Sequence, residues 1–473
     1  MKNEEICYMS ACDMADSIKT GALTSQEITE IIIERIEKIN PIINAYCTPT
    51  FDLAREMAKE ADKIVKTGVN IPPLNGIPTS IKDLIMIKGI RTTFGSKMYE
   101  DFIPEEDEAV IKRLKNAGCV ILGKTNTPEF GHVTVTFNLI FGETKNPWNI
   151  QKTSGGSSGG AGAAVASGIS PLALGSDGGG SIRVPSCLCG IFGLKPTYGR
   201  IPKYPRIGLE FYTMDHYGPM TRYVKDAALM LDVMKGPHLG DRQSLPENNI
   251  KYVEILDEKP SKLKIGYSLD LGLAKVLDSD VEKAVLNSID KLETFDWTAE
   301  KVKLKMSRKA ENAYYTYATV GIAYDFKKKF DEWRDRITPG LVKQIEVALP
   351  MTAMNLQLAL SQRLACDEVM HQFFKNYDIL ITPTTAVPAF ELGSVGPLKI
   401  QGKAVSHSGW YPFTYPFNLT SLPAASIPCG WSNEKLPIGM QIVGKRFDEK
   451  TVLQISSAFE EIAPWQDIRP KLE

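Results

Sequence analysis

The chain has 473 residues, 43% of them hydrophobic and 23% charged, with a formal net charge of −1. That apolar fraction is ample for a large core, and the balanced charge argues against a surface built for nucleic acid or an anionic membrane. No apolar run approaches the roughly 18 residues of a spanning helix, and the start, Met1–Gly21, has no apolar signal core. Eight cysteines, none in a C-x-x-C pair, read as reduced intracellular thiols, so a cytoplasmic protein is expected.

In chain order, Thr24 with Glu27 makes a capping box and Ile28, Ile32, Ile36 and Ile39 stripe one face, which predicts a helix over 24–39. A second helix is expected over Asp52–Lys66, stopped by Gly68. Turn residues Asn70–Gly76 then lead into a strand carrying Lys82, within GIPTSIKDLIMI. Glu106–Ala117 reads as a helix and Cys119–Leu122 as a buried strand. That strand lies in GCVILGKT, Gly118–Thr125, which formally satisfies the phosphate-loop pattern G-x-x-x-x-G-K-[ST]. In a working phosphate loop a strand precedes the first glycine and the four middle residues form the loop. Here Cys-Val-Ile-Leu is itself the strand and a helix precedes it, so no nucleotide site is expected.

The stretch Ser154–Arg183, SGGSSGGAGAAVASGISPLALGSDGGGSIR, carries the densest chemistry. Two glycine–serine loops, Gly155–Gly160 and Gly178–Ser181, flank a segment of small residues (Ala161–Ser167) and a short apolar run (Pro171–Leu174). The pattern predicts loop, helix, strand, loop. A flexible linker is the ordinary reading of such glycine–serine runs. A linker should separate two domains, whereas here the second cluster follows within one unit and GGGSIRVPSCLCG begins a buried helix. Ser181 is therefore expected at a helix N-terminus, as a nucleophile beside the backbone N–H groups of Gly178, Gly179, Gly180 and Ser181, a candidate oxyanion hole.

A serine nucleophile needs a base. The five histidines, His132, His216, His238, His371 and His407, lie in no recognisable motif, and no G-x-S-x-G elbow is present. Lys82 is the candidate, flanked by Ile81 and the apolar Leu84–Ile87, where burial would disfavour the ammonium. The alternative is a surface pair between Lys82 and Asp83. Cys187 and Cys189 read as small core residues in the buried helix.

Beyond the core, Lys262–Gly266 reads as a strand, Asp280–Phe295 as a helix, and Glu311–Phe330 as a helix rich in tyrosine. Tyr314, Tyr315, Tyr317 and Tyr324 are expected to pack, with one or two lining an acyl pocket. Asp378–Thr382 and Ala425–Pro428 read as short buried strands and 448–462 as a closing amphipathic helix. No repeat and no linker divides the chain. The expected fold is α/β, one large domain over 1–473 with a mixed central sheet surrounded by helices. Its parts are N-terminal helices (1–68), a catalytic core (69–240) and the rest of the sheet with the substrate pocket (241–473).

GIPTSIKD at Lys82, GGSSGG at Ser157 and GSDGGGSIR at Ser181 together resemble the amidase signature family. GLKPTYGR (Gly193–Arg200), DHYGPMTR (Asp215–Arg222), NLTSLPAASIPCGW and LPIGMQIVG extend the likeness over nearly the whole chain. The resemblance implies hydrolysis of carboxylic amides by a Ser–cisSer–Lys triad, without metal or cofactor. Carried over by position, Ser181 is the nucleophile, Ser157 the bridging serine after a cis peptide, and Lys82 the base. Ser157 and Ser158 are adjacent, and composition does not choose between them; the family spacing selects Ser157. Position 178, often threonine in the family, is glycine here, which should loosen the loop slightly.

The family also contains glutamine-hydrolysing components of tRNA-dependent amidotransferases, which hold the two ends of glutamine with an arginine and an acid. By alignment the arginine falls on Arg363, and the acid position on Tyr411. Trp410, Tyr411 and Tyr415 instead suggest an aromatic wall suited to neutral aryl or aliphatic amides, with esters and carbamates also open. Three readings stand: a free-standing amidase, the glutamine-hydrolysing component of an amidotransferase, and a non-catalytic binding module that the intact Lys–Ser–Ser set disfavours. The expected partner is a small-molecule amide, with no nucleic acid and no membrane; monomer and homodimer both stay open.

Overall fold

Thr24 Oγ1 accepts the Glu27 N–H while the Glu27 carboxylate accepts the Thr24 N–H, so the capping box opens the helix Ser25–Ile43. Its isoleucine stripe is buried, joined by Ile33 and Ile43. Helix Phe51–Thr67 ends on Gly68 in left-handed backbone (φ 67°) and turns Ala54, Ala58 and Ala61 inward. Two shorter helices, Asn3–Cys7 and Ala11–Thr20, precede them in the computed structural model, which describes residues 2–208, 211–306 and 309–472.

Eleven strands make one mixed sheet. In chain order they are β1 (Tyr46–Pro49), β2 (Pro78–Lys82), β3 (Val120–Thr125), β4 (Leu172–Asp177), β5 (Phe192–Lys195) and β6 (His216–Thr221), then β7 (Lys264–Tyr267), β8 (Thr298–Lys301), β9 (Ile379–Pro383), β10 (Ala424–Trp431) and β11 (Pro437–Gly444). Their order across the sheet is β1-β3-β2-β4-β6-β5-β10-β11-β9-β7-β8. β2 lies parallel to both β3 and β4, whereas β6 runs antiparallel to β4. Helices cover the sheet, and a continuous apolar core runs from the N-terminal helices to the closing helix Glu449–Ile462. The single α/β domain with a mixed sheet is thus the observed architecture.

Several expected boundaries move for physical reasons. The helix expected from Glu106 begins at Ala109, because Asp107 and Glu108 accept the backbone N–H groups of Lys88 and Met86 instead of capping a longer helix. β3 runs on to Thr125 because Lys124 finds a buried place, 3.1 Å from Asp83 Oδ1, 2.7 Å from Ile85 O and 2.8 Å from Thr92 Oγ1. The phosphate-loop look-alike is therefore strand throughout its second half. The tyrosine-rich helix spans Lys309–Phe326 and breaks at three exposed lysines, Lys327–Lys329, before a short turn at Phe330–Trp333. β6 contains Gly218 and Pro219, residues more usual in turns than in strands. Pro219 is tolerated because β5 pairs only with Met220 and Thr221, leaving Pro219 opposite Leu174 of β4 alone. Among the described residues no helix is long and apolar enough to cross a membrane.

Candidate active site

Because β2 and β4 are parallel neighbours, their C-terminal ends lie side by side and the loops after them open on one edge of the sheet. Lys82 is the last residue of β2. Its Nζ lies 2.6 Å from Ser157 Oγ, 3.0 Å from Ser176 Oγ and 3.4 Å from Ser176 O. The side chain is wholly buried, and burial pushes the ammonium well below the ordinary lysine value against a weaker opposing pull from the Asp177 carboxylate. The Gly156–Ser157 peptide bond is cis. The alternative surface pair with Asp83 does not form: Asp83 accepts from Thr93 N (3.1 Å) and Thr93 Oγ1 (2.5 Å) and faces Lys124. Sequence reasoning missed Ser176. Only the register of β2 on β4, with Ile81 opposite Leu174, brings it to Lys82.

The small-residue helix spans Gly159–Ala166 and is buried along its whole length, which lets the Ser157 loop approach β4 closely. The second loop is fastened from below. The Asp177 carboxylate accepts the N–H groups of Gly180 (2.7 Å) and Ile182 (3.1 Å) and pairs with Arg183 at 2.9 Å. Arg183 also reaches Gln441 Oε1 (2.7 Å) and Asn418 Oδ1 (2.6 Å), so the loop is tied to β11. Burial alone would raise the Asp177 carboxyl; the Arg183 charge and hydrogen bonds override it and hold Asp177 well below the usual carboxylate range.

This corrects two expectations. Gly180 N–H is committed to Asp177 and is not a free oxyanion donor; the N–H groups of Gly178, Gly179 and Ser181 have no partner among the described residues. Ser181 also precedes the helix, which spans Arg183–Cys189 with Ile182 as its N-cap. The Ser181 hydroxyl has no hydrogen-bond partner among the described residues and lines a cavity with Ser157, Ser176 and Gly178. No histidine there bonds Ser157 or Ser181. His216 Nδ1 lies 3.1 Å from Asp177 O, behind the loop.

Gly178 is required by close approach: a Cβ there would lie 2.8 Å from the Phe211 ring. Gly180 is required by its backbone, with φ 133°. Phe211 thus occupies the space a residue-178 side chain would take. Gly178→Thr is expected to lower stability by about 1–3 kcal/mol through overpacking, and Gly178→Thr/Phe211→Ala to regain most of it. Denaturant midpoints of the three proteins check this; equal midpoints for the single and double variants would refute the clash.

The expected pocket residues divide. Tyr411 reaches a narrow cavity that Ser181 also lines, its hydroxyl 3.0 Å from that of Tyr315. Trp410 and Tyr415 do not line the cavities around Ser181. Trp410 is buried and donates Nε1–H to Val395 O (3.1 Å), and Tyr415 stacks on Tyr314 with ring centroids 5.1 Å apart. Arg363 also stands away from them, its guanidinium donating to Leu419 O (2.6 Å), Thr213 Oγ1 (2.6 Å) and Ser421 Oγ (3.3 Å). The cavity beside Ser157 and Ser181 is ≈ 50 Å³, apolar at Leu84, Phe94 and Phe130, with a polar end at Glu108, Lys203, Asp215 and Tyr217. Glu108 accepts from Tyr217 Oη (2.7 Å), and burial pushes its carboxyl up.

Fold and site together are those of a hydrolase. The chain belongs to the Amidase family, whose model matches residues 27–453, and it is an amide-hydrolysing enzyme. It is 35% identical over 473 residues to an acylamidase of Rhodococcus erythropolis, covering 99% of this chain and 98% of the relative. It is 36% identical over 497 residues to a glutamyl-tRNA(Gln) amidotransferase component of Sulfurihydrogenibium sp. (strain YO3AOP1), covering 99% and 100%. Among solved structures it is similar to a bacterial aryl acylamidase of the amidase signature enzymes, with a TM-score of 0.91, 29% identity and 97% of each chain covered.

Proposed function

We propose that the chain hydrolyses neutral carboxylic amides with Ser181 as nucleophile, Ser157 as proton relay and Lys82 as base. The observation that carries this is the buried Lys82 Nζ, 2.6 Å from Ser157 Oγ, in the wall of the cavity that Ser181 lines. A neutral lysine amine has two N–H donors and one lone pair. Ser176 O, an acceptor only, and Ser176 Oγ can take the two donors, which leaves the lone pair for the Ser157 O–H.

The proton balance then closes. Ser181 Oγ attacks the carbonyl carbon as its proton passes to Ser157 and the Ser157 proton passes to Lys82. The oxyanion is held by the free N–H groups of the 178–181 loop. The C–N bond breaks as Ser157 returns a proton to the leaving nitrogen and Lys82 returns one to Ser157. An amide needs that proton, because an amide anion is a very poor leaving group. Water, deprotonated along the same relay, then releases the acid from Ser181.

The amidotransferase relative keeps a glutamine-hydrolysing reading in view. Against it, Arg363 is already satisfied by protein groups, and the position that alignment gives to the acid for the ammonium of glutamine is Tyr411. An unpaired ammonium in a partly buried site costs several kcal/mol. The isolated chain is therefore expected to hydrolyse simple anilides and aliphatic amides with kcat/KM at least about 100-fold above that for glutamine, since 1.36 kcal/mol is tenfold. Ammonia and aniline release assays compare them directly. Efficient glutamine turnover, by the chain alone or only with the other amidotransferase components and charged tRNA added, would overturn the reading.

A further inference from the structure

Two cavities diverge from Ser181, and they contain different catalytic groups. The ≈ 50 Å³ cavity has Ser157 in its wall. The second is a neck of ≈ 20 Å³ that Ser181 and Phe211 also line but Ser157 does not. The neck shares His132, Val133, Tyr315, Thr319, Gln344 and His407 with a larger vestibule of ≈ 830 Å³, so the two adjoin across these side chains. Its apolar wall includes Val135, Phe137, Val347, Met351 and Val395.

Given the relay proposed above, on which this rests, the leaving nitrogen must come within about 3 Å of Ser157 Oγ to collect its proton. That assigns the amine to the small cavity. We propose that the acyl chain runs the other way, through the neck into the vestibule, so that the enzyme selects linear, apolar acyl groups carried on small amines.

The neck's dimensions and chemistry support the assignment. Its volume holds one or two water-sized groups, by the rule of about 10–15 Å³ for each, which suits methylenes in single file and excludes a branch beside the carbonyl. Several of its polar groups are already paired with one another or with backbone, and none of its lining residues is an acid, lysine or arginine. Tyr315 and Tyr411 hydroxyls lie 3.0 Å apart, Thr319 Oγ1 donates to Tyr315 O (2.7 Å), Gln344 Nε2 donates to His132 O (3.3 Å), and His132 Nδ1 lies 2.6 Å from Glu129 O. Burial pushes His132 down to about 4, so it is uncharged at neutral pH. A charged acyl group would thus be desolvated in the neck without a counter-ion. An alkyl chain forfeits nothing there and gains contact in the vestibule.

Two amide series test this on the full chain. One lengthens the acid, from acetamide to decanamide; the other lengthens the amine, from N-methylacetamide to N-octylacetamide. The kcat/KM is expected to rise two- to fourfold per methylene along the first series and to stay flat or fall along the second. A methyl branch at the α-carbon should lower it at least about tenfold. Ala318→Leu narrows the buried neck and should cut the octanamide-to-acetamide ratio about tenfold. Val347→Trp, at an exposed position of the vestibule, should lower the same ratio with little risk to folding. A gain with amine length and none with acid length overturns the assignment alone, as does a ratio that neither variant moves. No turnover of either series or of the simple anilides refutes the neutral-amide reading itself, and this inference with it.

Discussion

Ser181→Ala is expected to lower kcat by roughly 10⁶-fold, the order seen when a serine hydrolase loses its nucleophile, while the protein keeps its fold. The hydroxyl has no hydrogen-bond partner among the described residues, so its removal leaves no buried group unpaired. A fluorophosphonate should label Ser181 and nothing else, since its Oγ stands free beside the unpartnered N–H groups of Gly178 and Ser181, whereas Ser157 Oγ and Ser176 Oγ in the same wall are held by Lys82. Competing thiols are silent for a physical reason: burial pushes Cys187 up to about 11 and Cys366 up to about 11, and neither lines the cavity beside Ser181. Ser158→Ala is the control. Its hydroxyl bridges Ser176 N (3.3 Å) and Ser176 O (3.1 Å) instead of facing the cavity, so it should cost about 1 kcal/mol of stability and leave most of the turnover. Mass spectrometry of the labelled peptides decides; a label on Ser157 or on a cysteine would sink the assignment.

What could be read in one dimension was what local chemistry dictates. The capping box at Thr24, the glycine stop at Gly68, the small-residue helix and the two glycine–serine loops each rest on neighbours in sequence, and each stands in the structure. Lys82 was legible because Ile81 and Leu84–Ile87 leave it nowhere but a buried strand end. The surroundings were not. Ser176 reaches Lys82 only through the parallel register of β2 and β4. The neck brings together His132, Tyr315, Ala318, Gln344, His407 and Tyr411, which no spacing rule connects.

Of the expected aromatic wall only Tyr411 reaches a cavity beside Ser181, because Tyr411 and Tyr415 do not face the same way. Tyr411 meets Tyr315 at the neck, whereas Tyr415 opens the short helix Pro416–Leu419 and stacks behind Tyr314. Helix Ala353–Phe373 had no clear stripe to announce it. It buries only Ala359, Cys366, Met370 and Phe373, and exposes Met354, Leu358 and Leu364. Glycine at 178 read as a loosened loop, yet the Phe211 ring fills the place of the missing side chain.

Replacing Lys82 should separate base chemistry from simple packing. Lys82→Met keeps length and apolar bulk but has no lone pair of comparable basicity; Lys82→Arg keeps a cation that does not deprotonate in proteins. Both should lose about 10²–10⁴-fold in kcat, the usual worth of a positioned base. The two should differ in stability. Arginine forces a permanent charge into a wholly buried site, whereas methionine does not, so Lys82→Arg is expected to melt lower than Lys82→Met. The native enzyme adds a pH signature whose sign follows from the direction of the shift. The folded lysine sits well below 10.5, and its working form is the deprotonated one. Activity should therefore rise with pH through the depressed value and level off above it. In the window between that value and 10.5 the unfolded chain binds the proton more tightly than the folded one, so stability too should climb with pH. Lys82→Met should lose both slopes. A Lys82→Arg enzyme with near-native kcat, or an activity that falls as pH rises through neutrality, would remove Lys82 from the reaction.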